Sequence, residues 1–200
     1  MPNWCTTSYV VTGNTETTKK FHAVLTRLTE KKSSLVKNDF GKLWLGNICE
    51  LLRRSWKSIH CRGVIDRFDL DPDGTLRLEV TSAWGEMMEV RNLLLEKYPD
   101  LSVFYISEEP GNLYFFKNDY SGKYFPETYL LQYGDQRNST YVYERFNTIG
   151  DVAAFLSEEV FPGTEIGPTR KAVIDVLEKA EKESSDDVYF SLNEFQLTDD

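Results

Sequence analysis

The order of strand-like and helical patterns in residues 4–107 is the feature that most limits how this chain can fold. Residues 4–12 are rich in β-branched and aromatic residues and end at Gly13-Asn14, which predicts a strand. Residues 15–32 repeat apolar residues at helical spacing, which predicts an amphipathic helix. Between residues 61 and 81 alternation returns in two halves around Asp-Pro-Asp-Gly, a pattern typical of a β-hairpin.

A second helix over residues 86–98 and a strand over residues 101–107 complete the order strand, helix, strand, strand, helix, strand. This order predicts an α+β fold with a ferredoxin-like βαββαβ core, an antiparallel sheet and both helices on one face. The first strand is then central in the sheet. We therefore expect Trp4 and Cys5 to anchor its start.

The rest of the chain predicts additions to that core. Residues 33–59 are expected to form an insertion with one helix. The downstream patterns predict strands at 112–117, 123–133 and 139–146 that extend the same sheet, helices at 149–160 and 169–182, and a last strand at 188–197. We expect a ferredoxin-like domain over residues 1–134 and a C-terminal α/β extension over residues 135–200, packed on the same core.

Charge is distributed unevenly along the chain. The formal net charge is −9, but residues 1–100 hold 15 Lys or Arg against 13 Asp or Glu, whereas residues 101–200 hold 8 against 19. Residues 19–62 alone carry 11 basic and 3 acidic side chains. The chain has no signal-like start and no apolar run of about 18 residues, and its three cysteines suit a reducing compartment. A cytoplasmic protein without membrane contact is expected.

Two segments and the order of elements between them are distinctive together: the start "MPNWCTTSYVVTG" and the later "TSAWGEMMEVRNLLLEKYPDLSVFYISEEPGNLYFF". They give the chain a resemblance to the YubB-like proteins of phages, plasmids and conjugative elements. The matching positions are Asn3, Trp4, Cys5, Trp84, Tyr98, Pro99, Glu109 and Gly111. It covers roughly residues 1–130 and departs after Trp84, where the family often has prolines and this chain has Gly85-Glu86. It implies a ferredoxin-like fold and a mobile-element setting, without an activity.

Two groups of residues could suggest a metal site, but neither has the complete ligand pattern of one. Asp69, Asp71, Asp73 and Gly74 match the start of a calcium loop, but the closing Glu is replaced by Val80, and Pro-Asp-Gly also suits a hairpin tip. The other group, Cys49, His60 and Cys61, lacks ligand spacing, since His60 and Cys61 are adjacent. No metal and no cofactor are expected.

Local motifs for catalysis are absent from the sequence. Neither a nucleophile elbow nor a phosphate-binding Gly-rich motif occurs. The paired carboxylates Glu108-Glu109 and Glu158-Glu159 are expected to be solvated. A non-enzymatic protein is favoured, although an active site assembled from scattered residues leaves no local motif.

The aromatic residues leave two explanations open. Either they line a groove on an open sheet face or they form plain core; the set comprises Trp4, Trp84, Tyr105, Tyr114, Phe115 and Phe116. The candidate groove or partner-binding residues are Trp4, Trp84, Glu109 and Gly111.

Two function hypotheses follow. The first is an uncharacterised accessory protein of a mobile element that binds another protein, for which the acidic second half favours a basic partner. The alternative is a nucleic-acid-binding protein that uses the basic region 19–62; its candidate contacts are Arg53, Arg54, Trp56, Lys57 and Arg62. The third predicted strand lacks the aromatics typical of an RNA-binding sheet. The oligomeric state is left open.

Overall fold

A computed structural model describes residues 3–135, 139–184 and 188–199, which form an α+β structure with two sheets. The chain divides into two compact units, Met1–Tyr120 with Leu197–Asp200 and Ser121–Gln196. The first unit contains β1 (Trp4–Gly13), α1 (Thr15–Glu30), α2 (Leu45–Leu51), β2 (Gly63–Leu70), β3 (Leu76–Ala83), α3 (Met88–Lys97), β4 (Leu101–Glu109) and β5 (Tyr114–Lys117). The second contains β6 (Tyr129–Asp135), β7 (Thr140–Phe146), α4 (Ile149–Phe155), a π-helical turn (Leu156–Val160), α5 (Arg170–Glu183) and β8 (Val188–Glu194), after which comes β9 (Gln196–Leu197).

The first sheet has the strand order β2-β3-β1-β4-β5-β9. β1 pairs antiparallel with β3 on one side and β4 on the other, so the predicted central position of the first strand is confirmed. The predicted β2–β3 hairpin is also confirmed. At its tip the Asp71 N–H donates a hydrogen bond to the Thr75 carbonyl (2.8 Å). Arg77 forms an ion pair with the Asp71 carboxylate at 2.8 Å. The Asp-Pro-Asp-Gly stretch therefore serves as a turn.

Alternation along β1 divides its side chains between the two faces of the sheet. Cys5, Tyr9 and Val11 lie on the face that packs against the helices, because successive residues of a strand point to opposite faces. Trp4 points to the opposite face of the sheet and is 47% exposed. The expectation that Trp4 anchors the strand is therefore wrong, whereas Cys5 is fully buried.

The connection from β1 to α1 depends on local chemistry. Gly13 has a φ of +128°, and a Cβ there would lie 2.2 Å from the Asp100 carbonyl oxygen, so the close approach of the two chain segments requires glycine. The Asn14 side chain then accepts hydrogen bonds from the N–H groups of Glu16 and Thr17. This cap begins α1, whose apolar residues Phe21, Leu25 and Leu28 are buried.

The predicted insertion over residues 33–59 contains α2, as expected, and a short 3₁₀ turn at Trp56–Ser58. Buried Asn47 organises the loop before it. Its Oδ1 accepts from the Val36 N–H at 2.9 Å, and its Nδ2 donates to the carbonyls of Gly41 (3.1 Å) and Lys42 (2.9 Å). A buried side-chain amide thereby replaces the backbone pairing that an irregular loop lacks.

The second unit has its own sheet, of order β7-β6-β8, and its own apolar core. That core includes Leu131, Val152, Leu156, Val173 and Leu177. The prediction that the patterns at 123–133 and 139–146 extend the first sheet is wrong, because β6 pairs with β7 and β8.

The predicted domain boundaries also need revision. The division falls after Tyr120 rather than after residue 134, since β6 belongs to the second sheet, and Leu197 returns to the first unit. The final predicted strand is divided at Phe195 into β8 and β9. Packing of the extension on the first core stays a prediction. Among the helices of the described residues, none combines the length and apolarity needed to span a membrane.

Candidate functional site

Four elements meet at one end of the first sheet: the starts of β1 and β2 and the ends of β3 and β4. Asn3 connects them. Its carbonyl accepts from the Trp84 N–H at 2.9 Å, and its Nδ2 donates to Glu109 Oε2 at 3.5 Å. A Cβ on Gly111 would lie 2.6 Å from the same Nδ2. The four residues predicted for a partner-binding groove, Trp4, Trp84, Glu109 and Gly111, thus lie at the same sheet end, around a residue that was not predicted for the site.

Large apolar side chains are exposed at this end. Trp4 is 47% exposed, Trp84 48%, Met88 45% and Leu113 72%. We call these four residues the apolar rim. The remaining aromatics of the predicted set divide differently, since Tyr105 and Phe115 are buried in the structure whereas Tyr114 and Phe116 are partly buried.

The backbone at two rim residues is strained. Trp84 has a φ of 75° and Leu113 a φ of 54°, a region that bulky side chains rarely adopt. The Trp84 N–H bond to Asn3 and the Leu113 N–H bond to the Pro110 carbonyl (3.2 Å) hold these conformations. Backbone strain of this kind costs about 1–3 kcal/mol per residue and is concentrated at functional sites in proteins.

The predicted site residue Glu109 is a turn-stabilising group. Its carboxylate accepts hydrogen bonds from the N–H groups of Gly111 (2.7 Å) and Asn112 (2.9 Å), which caps a 3₁₀ turn at Pro110–Asn112. Glu108 and Glu109 are both buried, so the expectation that this pair is solvated is wrong. Glu158 and Glu159 are exposed, as predicted. Glu109 shapes the loop that presents Leu113.

A buried polar cluster lies beside Glu109 on the helix-facing side of the sheet. Ser107 Oγ is 3.0 Å from Cys5 Sγ and 2.7 Å from Thr7 Oγ1. Burial raises the pKa of the Cys5 thiol, and the nearby Glu109 carboxylate raises that pKa further. The thiol is therefore protonated at neutral pH and acts as a hydrogen-bonding group rather than as a thiolate nucleophile.

An ion pair is buried further along the same face. Glu86 Oε1 accepts from Tyr9 Oη at 2.7 Å and from Arg91 Nε at 3.1 Å. The Arg91 guanidinium also lies 5.1 Å from the centre of the Tyr105 ring. Burial and the adjacent Glu86 carboxylate hold the pKa of Tyr9 well above its usual value. Arg91 lines an apolar cavity of about 50 Å³, which is the size of one or two water molecules.

Only one feature of the sequence indicates this buried pair. Arg91 follows Met87 by four residues, on the apolar side of α3, where a buried charge is unusual. That position was the only signal available. Within the part of the chain that the structure describes, Arg91 Nη2 has no hydrogen-bond partner.

The residues predicted for nucleic-acid contact are partly engaged by other groups. Arg54 forms an ion pair with Glu96 at 2.9 Å, and the Trp56 ring packs edge-on against Trp44 with the ring centres 5.2 Å apart. The Lys57 ammonium lies 5.9 Å from the Trp56 ring centre. The side chains of Arg53 and Arg62 are exposed.

Acidic side chains lie within the same region. Glu50 Oε1 accepts from the Trp56 N–H at 3.2 Å, and Glu89 Oε2 accepts from the His60 N–H at 2.8 Å. These carboxylates lower the positive potential that the sequence predicts there.

Cys49 and Cys61 are buried thiols without a disulfide. The Cys49 thiol donates a hydrogen bond to the Cys61 thiol. This bond, together with burial, raises the pKa of the Cys49 thiol, and it lowers the pKa of the Cys61 thiol. The described residues contain no group of three or more His, Cys, Asp or Glu that could hold a metal ion.

Comparison with known proteins adds no relative to this picture. No protein-family model, no curated protein and no solved structure matches the chain.

Proposed function

We propose that this chain is a non-enzymatic accessory protein of a mobile element and that it binds a protein partner through the apolar rim. The observation that carries the proposal is the exposure of Trp4, Trp84, Met88 and Leu113 at one sheet end. Exposed apolar patches on a folded protein are typical of interaction sites, and tryptophan is enriched among the residues that dominate binding energy.

The fixed backbone around the rim supports binding rather than passive exposure. Trp84 and Leu113 each keep a left-handed conformation that glycine would adopt at lower cost. Asn3 and Glu109 hold the two loops through side-chain and backbone hydrogen bonds. A preorganised surface loses less conformational entropy when a partner binds.

The finer fold and setting belong to the same proposal. We propose that β1 to β4, with α1 and α3, are a ferredoxin-like core, and the strand order β2-β3-β1-β4 supports this proposal. The YubB-like resemblance supports a mobile-element setting. The three free cysteines support a cytoplasmic location.

Affinity capture from host cells that carry the element tests the proposed function. Tagged wild-type protein, a Trp84→Ala/Leu113→Ala variant and a Leu35→Ala control would be compared by quantitative mass spectrometry. Leu35 is a suitable control because it is also exposed, at 42%. We expect a protein that the wild type and the control both retain and that the rim variant loses. Identical recovery with all three proteins would contradict the proposal.

The alternative function, nucleic-acid binding, is supported by the basic surplus in residues 19–62 and by the exposed side chains of Arg53 and Arg62. Single-stranded and duplex probes in gel-shift assays at low salt would test it, since electrostatic binding is strongest there. An Arg53→Ala/Lys57→Ala/Arg62→Ala variant should lose any shift. Absence of a shift with the wild type would remove this alternative.

A further inference from the structure

One outer strand of the second unit's sheet is exposed along its whole length. β7 lies at an edge of the strand order β7-β6-β8, and none of its seven residues is buried. It pairs with β6 in a continuous register, and its Tyr, Val and Phe residues favour strands. Within the part of the chain that the structure describes, no strand pairs with the outer edge of β7. A regular, exposed edge strand of this kind readily pairs with a strand of another chain.

An edge strand of the first sheet, β2, is built differently. The register of β2 shifts between Ile65 and Arg67, as it does at a bulge, and an isolated bridge pairs Trp44 with Val64 near the start of the strand. Bulges and covering segments are two ways in which proteins keep an edge from pairing with other chains. Among the described residues, β7 has neither protection. Its edge is therefore suited to pairing.

Three side chains of β7 share the face of the sheet opposite to the helices. Leu131 of β6 packs in the core with residues of α4 and α5, and Glu144 lies directly opposite it. Because alternate residues of a strand share a face, Tyr141, Tyr143 and Arg145 point to the other face. Tyr141 is 62% exposed, and its ring is nearly parallel to that of Tyr143, at 20°. We call Tyr141, Tyr143 and Arg145 the β7 triplet.

Symmetry limits how two copies of β7 pair with each other. Two antiparallel copies are related by a two-fold axis perpendicular to the sheet, which passes through one residue position when the faces of the two sheets match. An axis at Tyr143 pairs all seven residues of the strand. An axis at Glu144 places two carboxylates directly opposite each other, which is unfavourable. The axis at Tyr143 therefore gives the longer pairing without opposed like charges.

This register brings together complementary groups of the β7 triplet. Arg145 of each copy lies directly opposite Tyr141 of the other copy, and Tyr143 lies opposite its own equivalent. Tyrosine ring faces bind guanidinium groups, and the symmetry forms this contact twice. Within one chain the Arg145 guanidinium already contacts an aromatic ring, since it lies 5.7 Å from the centre of the Phe195 ring. We propose that β7 is a dimerisation strand, which pairs antiparallel with β7 of a second copy of this chain about an axis at Tyr143.

Sedimentation velocity of the full-length protein over a micromolar concentration series tests this dimer. The wild type should form a species of twice the mass of the chain. Tyr141→Lys places an ammonium opposite Arg145 of the other copy and should weaken the dimer at least about tenfold. Tyr141→Glu places a carboxylate there and should keep the dimer. Both variants remove the same exposed ring, so a difference between them reports the charge opposite position 141.

Two further variants separate this register from a folding effect and from the apolar rim. Tyr141→Lys/Arg145→Glu restores opposite charges across the pair and should recover the dimer. Tyr120→Ala removes a tyrosine that is 60% exposed on the first unit and should dimerise as the wild type does. A monomer at every concentration would overturn the proposal, as would equal dimer affinities of Tyr141→Lys and Tyr141→Glu. A dimer that Trp84→Ala abolishes would overturn it as well, because that dimer would use the apolar rim.

Discussion

At the scale of single residues, two substitutions of Trp84 distinguish the effect of backbone strain from the effect of losing the side chain. Both Trp84→Ala and Trp84→Gly remove the half-exposed indole, but only alanine keeps a Cβ at a φ of 75°. We expect the glycine variant to be more stable than the alanine variant by about 1 kcal/mol. Chemical denaturation of the two variants measures this difference. Equal stabilities would show that the backbone at Trp84 is unstrained.

Tyr9 gives a second residue-scale prediction, on pH dependence. The pKa of Tyr9 is raised in the folded protein by burial and by Glu86, so the phenol stays protonated at pH values where the unfolded chain ionises, near its ordinary pKa of about 10. Above about pH 10 the unfolded state binds fewer protons, and stability should fall as pH rises. Below that pH this contribution is fully present.

Tyr9→Phe tests this prediction. The variant removes a hydrogen bond to a carboxylate and should lower the free energy of unfolding at pH 7 by about 1.5–3 kcal/mol. It should also show a shallower loss of stability above about pH 10. Urea unfolding at several pH values measures both effects. A variant with the wild-type slope would show that Tyr9 does not contribute to the alkaline loss.

At the scale of elements, β1 should be essential to the first unit. Deletion of residues 1–5 removes buried Cys5, the Asn3 hydrogen bonds and the first two residue pairs of the β1–β3 ladder. We expect a loss of about 3–5 kcal/mol, comparable to a large core truncation. Trp4→Ala alone should cost much less, because Trp4 is 47% exposed. An unchanged thermal midpoint after the deletion would contradict the central position of β1.

The elements also show what the sequence could and could not predict. Local periodicity placed β1, α1 and the β2–β3 hairpin well, because each has its own apolar pattern and turn residues. The sheet to which β6 belongs could not be predicted, since strand pairing is decided by tertiary contacts that a local pattern does not encode. The phase of alternation in β1 puts Trp4 and Cys5 on opposite faces of the sheet, so only one of them can pack against the helices.

The candidate site was predictable to a similar extent. The sequence indicates Trp4, Trp84, Glu109 and Gly111 as site residues. Their connection through Asn3 depends on the three-dimensional meeting of β1 with the ends of β3 and β4. Likewise, no local pattern indicated that Arg91 and Glu86 form a buried pair, because a helix with mixed polarity also fits a solvated face.

At the scale of the whole molecule, salt should separate the two function hypotheses. The apolar rim consists of uncharged side chains, whereas nucleic-acid binding would depend on the basic surplus of residues 19–62. Raising ionic strength from about 0.05 to about 0.5 M shortens the screening length severalfold. Binding of the rim partner should change little, whereas binding of a nucleic-acid probe should weaken. A rim partner whose binding weakens steeply with salt would contradict the apolar assignment.

The central claim is that the apolar rim binds a protein partner, and the affinity of the Trp84→Gly variant for the captured partner tests it most directly. This variant removes the indole and also the strain, so any loss of binding cannot be attributed to a more strained loop. Calorimetric titration of the purified partner should show a loss of at least about thirtyfold, as expected for a dominant interface tryptophan. An affinity equal to that of the wild type, in a variant shown to be folded, would contradict the claim.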